Sequence, residues 1–357
     1  MADAPAPSAA GTDWPVRVGF LGTGFIATYH SKSLRGAQKD GLAVEWAGVY
    51  DPDTAKGERF AAASGAPLLG SEDEVIAASD AVYVCTWTSE HPRLVQQVIG
   101  AGKAVFCEKP LAIDLDSATA LVGAVQASGV VNQVGLVLRH SPAFHLTKHL
   151  VEAPESGRVM SVVFRNDQYI PIQGQYGSDW RADRTRAGSG TLLEHSIHDL
   201  DLIEWLLGPM SSINARSGDF HGIDGIEDLV VATMAWPGGA VGTLTSVWHD
   251  VLVRPSLRRV EIFCERAHIV VEDDWFGPVS WTRDDESGVL QGDELVAAAG
   301  FADEGPFGPN PDAEFVRAVA AGTAASPDVA AALRAHQLAD AVYRSAASDG
   351  APISVST

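Results

Sequence analysis

Val16-Arg17-Val18-Gly19-Phe20-Leu21 runs without a break into Gly22-Thr23-Gly24-Phe25-Ile26-Ala27, an apolar strand feeding a GxGxxA turn that opens a helix. Each position of that turn has a physical reading. Gly22 makes the tight turn, Gly24 leaves no side chain where a pyrophosphate nears the backbone, and Ala27 is small where helix meets strand. The helix N-terminus then offers unpaired N–H groups and the positive end of its dipole to the phosphates, so no lysine is required. Gly22, Gly24, Phe25 and Ile26 are therefore the residues expected around a dinucleotide.

Around this turn, short apolar runs alternate with segments of helical period, the mark of βαβ units on a parallel sheet. Strands are expected at Val16–Leu21, Val44–Tyr50, 81–86, Ala104–Cys107 and 130–136. Ser71 with Glu74 has capping-box spacing, and Gly129 supplies a helix stop. Asp51 ends the second strand, where a carboxylate accepts hydrogen bonds from the adenosine ribose and repels a 2′-phosphate; with no arginine beside it, this favours NAD over NADP. Asp51 could instead simply begin the turn before Pro52.

Beyond residue 138 the rhythm changes to longer β-type runs at Val159–Tyr169, 228–236, 240–247, 259–264 and 267–272. Pro237-Gly238-Gly239 forms a tight connection between two of them, so at least part of this half is antiparallel. A long helix over 191–207 ends at Gly208-Pro209, and Ala-rich helices follow Pro311 and Pro327. The expected fold is α/β: a Rossmann NAD-binding domain over 15–138, then an α+β domain over 139–357 with a large, mostly antiparallel open sheet. Residues 1–14, rich in Ala, Pro and Ser, read as a flexible tail without a secretory signal.

The formal charge of −21 repels a phosphate backbone, which argues against nucleic-acid binding. No apolar run approaches the ~20 residues of a membrane span. Three cysteines without CxxC spacing fit a reduced, cytoplasmic protein.

Two segments carry reactive chemistry. Cys107-Glu108-Lys109-Pro110 places an ionisable pair at a strand's C-terminal end, where ligands of open α/β sheets bind. Lys109 there can stabilise an alkoxide; the alternative, a surface Glu-Lys pair, contributes little and needs no such placement. In Thr191-Leu192-Leu193-Glu194-His195-Ser196-Ile197-His198-Asp199, Glu194 and His198 lie four apart on one helix face, beside an apolar stripe. Glu194 is then in reach to orient the His198 imidazole, whose ordinary pKa near 6.5 suits proton transfer. Spacing leaves open two other readings, satisfied surface histidines or a metal set of Glu194, His195 and His198.

With these motifs the chain resembles the Gfo/Idh/MocA oxidoreductases. The resemblance covers about 16–355, through Gly19 to Gly24, Val82 to Thr86 leading to His91, Ala101 to Pro110, Asn132-Gln133-Val134-Gly135, Asp179-Trp180-Arg181 and Gly188 through His198 to Pro209. It implies NAD as cofactor, with Thr86, His91, Glu108 and Lys109 at the cofactor, Lys109 as the lysine of an EKP motif and His198 as the proton-transferring histidine. It also implies substrate contacts from Arg181 and Asp179, with His195, Tyr169 and Arg139 as further candidates, no resident metal, and a homodimer or homotetramer. The implied reaction interconverts a secondary alcohol and a ketone on a sugar or polyol. A retained-NAD enzyme catalysing a net non-redox step, and a non-catalytic NAD and sugar sensor, remain alternatives. Two residues depart from the family pattern: Glu194 stands where Asp is usual, and Trp87 where many members have proline.

Overall fold

A computed structural model describes residues 15–284, 286–304 and 308–355; the expected tail at 1–14 lies outside them. The first sheet holds β1 (Val16–Leu21), β2 (Val44–Tyr50), β3 (Ala81–Val84), β4 (Ala104–Cys107) and β5 (Asn132–Val134), all parallel, in the order β2-β1-β3-β4-β5. Its helices are α1 (Phe25–Lys39), α2 (Thr54–Ser64), α3 (Glu72–Ala78), α4 (His91–Gly100) and α5 (Leu115–Ser128). β1 has β2 on one side and β3 on the other, so the chain reverses direction across the sheet there and leaves a crevice at the strands' C-terminal ends.

The local signals act as expected at several joints. Ser71 Oγ accepts the Glu74 N–H at 3.2 Å, capping α3, and Gly129 ends α5 in the left-handed region at φ 69°. Phe20, Tyr83 and Phe106 are register neighbours on β1, β3 and β4, and their rings stack at 4.7 and 4.6 Å. β5 is shorter than expected because the Leu136 N–H turns back to the Val134 carbonyl and the Val134 N–H goes to Pro327 instead.

α6 (Pro142–Glu152) leads into the second sheet. Its strands are β6 (Val159–Tyr169), β7 (Ser212–Gly218), β8 (Leu229–Ala235), β9 (Val241–His249), β10 (Leu257–Cys264), β11 (Ala267–Val271), β12 (Val279–Arg283), β13 (Glu286–Leu290) and β14 (Ile353–Ser354). They lie in the order β13-β12-β11-β10-β6-β9-β8-β7-β14, antiparallel except where β6 meets β9. The remaining helices are α7 (Arg184–Ala187), α8 (Ile197–Leu207), α9 (Gly292–Ala298), α10 (Pro311–Ala321) and α11 (Val329–Ala347). Strand residues of one parity, such as Val162, Phe164, Ala232, Leu244 and Ile262, pack against Phe144 of α6, Leu202 of α8 and Leu338 of α11. Residues of the other parity, including Val163, Val231 and Val241, are exposed, as is Met160, where the register between β6 and β10 shifts.

Two expectations need correction. The helix over 191–207 is not continuous: Leu192–Ser196 is a π turn, and α8 begins at Ile197. The second half is also not a self-contained domain over 139–357. Phe315 and Val316 of α10 join the core around Phe20 and Tyr83, and Val329 and Ala332 of α11 join the core under β3 and β4. Both helices present apolar faces that the first sheet buries.

Candidate active site

The crevice opens at the first turn. Gly22 has φ +86°, and an added β-carbon would stand 2.6 Å from the Cys85 carbonyl, so only glycine lets β1 pass this close to the end of β3. A β-carbon on Gly24 would meet nothing within 4 Å. Gly24 caps α1 without a side-chain bond, and the first intrahelical bond is Thr28 N–H to Gly24 O. The N–H groups of Phe25, Ile26 and Ala27 thus have no intrahelical acceptor at the positive end of the helix, a fit for a pyrophosphate. The Phe25 side chain is exposed and edges onto Tyr176 at 5.5 Å, while Ile26 packs on the core, so both offer main chain to a dinucleotide.

Asp51 stands at the end of β2, as its sequence position requires. Its Oδ2 accepts both the Thr23 N–H and the Thr23 hydroxyl at 2.8 Å, and Oδ1 accepts the Asp53 N–H at 2.9 Å. Oδ2 is fully used, so one lone pair of Oδ1 is left for a ribose hydroxyl. Asp51 therefore ties down the glycine turn as well.

Two expected cofactor residues point elsewhere. His91 is buried, with Nδ1 2.8 Å from the Pro110 carbonyl and Nε2 3.2 Å from the Thr86 carbonyl; it staples the two loops together, and burial pushes its pKa down. Glu108 is buried against His30 of α1, 2.9 Å from its Nε2. Thr86 does lie at the turn, its methyl 3.0 Å from where a Gly22 β-carbon would be.

Lys109 reaches across to the second half, its Nζ donating to the Glu194 carbonyl at 2.7 Å. Burial lowers its pKa, opposed by the charges of Glu108 and Glu194. The Glu194 side chain does not orient His198. Oε1 accepts the Thr88 hydroxyl at 2.7 Å and Oε2 the Arg181 Nε at 3.1 Å. A hydroxyl and a guanidinium on the carboxylate, with the backbone carried round a π turn, draw it away from the imidazole. The same two donors make Glu194 a poor metal ligand, and no three His, Cys, Asp or Glu side chains converge as a metal set among the described residues.

His198 is half-buried, and its Nδ1 is a buried atom with no hydrogen-bond partner. Burial and the positive charges of Lys109 and Arg258 push its pKa well below the ordinary range, and His195 is depressed by burial, Arg258 and Lys109 in the same way. Both imidazoles are therefore neutral at neutral pH. The turn that carries them is pinned by Glu227, whose carboxylate accepts from Ser189 Oγ, Gly190 N–H, Leu192 N–H and the Tyr343 hydroxyl at 2.6 to 3.0 Å.

The substrate candidates divide. Arg181 also bonds Ser178 and lies 4.4 Å over the Trp180 ring, and Asp179 beside it is exposed. Tyr169 is buried, its hydroxyl accepting the Gln175 N–H at 3.3 Å. Arg139 forks onto Asp201 at 2.6 and 2.8 Å, so its guanidinium is committed to holding α8 and is not a free substrate ligand. Sequence reasoning missed Thr88, Glu227 and Arg258. Arg258 is buried on β10, donating to Asp199 at 2.6 Å and pairing with Asp274, and no local motif marks it. Trp87 lies under the Arg186 guanidinium at 4.3 Å, joining the two halves where a proline is usual.

Residues 16–136 match the Gfo/Idh/MocA oxidoreductase family with an NAD-binding Rossmann fold, and residues 144–270 match the C-terminal domain of the same family. Inositol 2-dehydrogenase of Cereibacter sphaeroides is 34% identical over 193 residues, 54% of either chain. The scyllo-inositol 2-dehydrogenase (NAD(+)) of Bacillus subtilis is 32% identical over 214 residues, 58% of this chain and 57% of the relative. The chain thus spans about half the length of the curated relatives it matches. In overall fold it is similar to levoglucosan dehydrogenase in complex with NADH and levoglucosan, at TM-score 0.84 and 22% identity over 96% of this chain and all of the other. An oxidoreductase domain protein of Kribbella flavida is equally alike, at TM-score 0.83, 22% identity and the same coverage. With both halves matched in order, and with the glycine turn and the EKP segment at one crevice, the chain belongs to the Gfo/Idh/MocA oxidoreductase family.

Proposed function

We propose that this chain is an NAD-dependent dehydrogenase that reversibly oxidises a secondary hydroxyl of a sugar or cyclic polyol to a ketone. The observation that carries the reading is the meeting of Lys109 with the His198 turn at the open end of β4, on the edge where Gly24 leaves room for a dinucleotide. Bound NAD supplies the hydride acceptor.

His198 is the proton acceptor. It is held neutral by burial and by nearby cations, so a nitrogen is free to take a proton. Those same cations make it a weak base at rest. As negative charge develops on the substrate oxygen, it offsets Lys109 and Arg258, and the proton affinity of His198 rises when transfer is needed. Lys109 stabilises that oxygen by its positive charge, with the Glu194 carbonyl fixing its direction. Arg181 and Asp179 at the rim supply hydroxyl-binding groups, with His195 beside them.

The names of the relatives support polyhydroxylated rings as the substrate class. We also assign a homodimer or homotetramer formed on the open sheet face carrying Met160, Val163 and Val241, and a reducing cytoplasmic setting in keeping with the buried free thiols of Cys85, Cys107 and Cys264. The test is absorbance at 340 nm with NAD or NADP against inositols, pyranoses and anhydrosugars. Growth of the NADH signal with one substrate group is expected; silence across all of them, with NAD bound, overturns the dehydrogenase reading.

A further inference from the structure

His30, in the second turn of α1, takes no part in the chemistry above, yet it joins the cofactor helix to the lysine loop. Its ring is fully buried, edge-on to Phe106 at 4.8 Å, with Tyr83 at 5.5 Å. Nδ1 lies 2.7 Å from Asp312 Oδ1 on α10, and Nε2 lies 2.9 Å from Glu108 Oε1. A carboxylate only accepts, so the two contacts need two protons, and placing both on the ring pairs each carboxylate with positive charge. The two carboxylates hold the imidazolium up to about 10 against the lowering effect of burial. The other Glu108 oxygen, Oε2, accepts the main-chain N–H of Lys109 at 3.1 Å. Space for Glu108 comes from Gly135, where a β-carbon would stand 2.3 Å from Oε1.

We propose that His30 is a positioning residue for Lys109: clamped between Glu108 and Asp312, it holds the Glu108 carboxylate in place and shares its charge, and so fixes both the lysine's backbone and the field beside it. This rests on the assignment of Lys109 above. Stability by itself is a weak reason for such a cluster, since buried ion pairs often give way to apolar groups at little cost. Position is the stronger reason, because the linkage runs from the helix opening at the dinucleotide turn, through His30 and Glu108, to the lysine and on to the Glu194 carbonyl. The charged groups acting on Lys109 are Glu108, Glu194, Arg181 and Arg258; those on His30 are Asp312 and Glu108, with the Tyr83 hydroxyl close to Asp312.

Competitive trace acetylation of the six lysines, resolved by mass spectrometry as a function of pH, reads Lys109 without any substrate. In His30→Gln, Glu108 no longer shares its charge with an imidazolium, so Lys109 holds its proton more tightly. Its reactivity at fixed pH should fall roughly threefold or more relative to exposed Lys56, equivalent to about half a pH unit. Unchanged Lys109 reactivity overturns the proposal. The wild-type protein gives a second reading that does not depend on the variant folding: 15N-histidine spectra should show one imidazole with both nitrogens protonated at pH 8.5, and eleven neutral imidazoles would overturn it. Neither measurement uses turnover, so a failure of the dehydrogenase assay leaves them standing, and their failure leaves the dehydrogenase reading untouched.

Discussion

Replacing each of two neighbouring glycines by alanine should produce opposite defects. Gly22 sits at φ +86°, and a β-carbon there would stand 2.6 and 2.8 Å from the Cys85 carbonyl oxygen and carbon. A left-handed backbone costs a non-glycine residue roughly 1–2 kcal/mol, and overpacking against main chain adds about 1–3 kcal/mol. Cys85 cannot step aside easily, because its own N–H bonds the Leu21 carbonyl at 2.8 Å. Gly22→Ala should therefore lose about 2–5 kcal/mol of stability and melt at least ~5 °C lower. Gly24 has φ −73° and ψ −165°, which alanine tolerates, and open space around it. Gly24→Ala should keep its melting temperature, or gain up to about 1 kcal/mol from a stiffer unfolded chain. Its defect is in NAD affinity, since the methyl stands where the pyrophosphate must approach; a tenfold loss, about 1.4 kcal/mol, is the least expected. Scanning fluorimetry without nucleotide and calorimetric titration with NAD separate the two effects. Wild-type NAD affinity in Gly24→Ala would show that the phosphates lie elsewhere and refute the cofactor placement.

Lys109→Ala and His198→Ala should each lower kcat by about 10²–10⁴ while the Kd for NAD stays near wild type; near-normal turnover in either removes that residue from the mechanism. Asp51→Ala should weaken NAD and narrow its margin over NADP, and, because Thr23 loses its anchor, lower the melting temperature too; an unchanged NAD to NADP ratio of kcat/KM would count against the ribose role. His336 accepts the Leu111 N–H at 3.0 Å and is pushed down to about 4 by burial. Its folded pKa lies below the unfolded 6.5, so its contribution is complete above pH 6.5 and is lost as pH falls towards 4, a change of about 3 kcal/mol. Urea unfolding between pH 7 and 4 should show that loss, and His336→Gln, whose amide oxygen can still accept the bond, should flatten the curve; equal slopes would exclude His336 as the source.

The sequence by itself determined the parallel sheet, the glycine turn, Asp51 at the end of β2 and Lys109 at the end of β4. Each of these follows from short-range rules: apolar period, a backbone angle only glycine adopts, and the position of a residue just after a strand. β1, β2, β4 and β6 fall where those rules put them. The weakly patterned edge hairpin of β12 and β13 was not legible, because strands at a sheet's edge bury too little to need strict alternation. Tertiary structure decided the side-chain partners. Glu194 and His198 have helical spacing, but Thr88, 106 residues away, and Arg181 draw the carboxylate off. Arg139 looked free for substrate until Asp201 was beside it. His30 meets Asp312 across 282 residues, and α10 and α11 return to a domain that the change of rhythm had closed at 138. Hydrogen bonds and ion pairs between buried groups act over about 3 Å in space and carry no period along the chain, so only the folded arrangement reveals them.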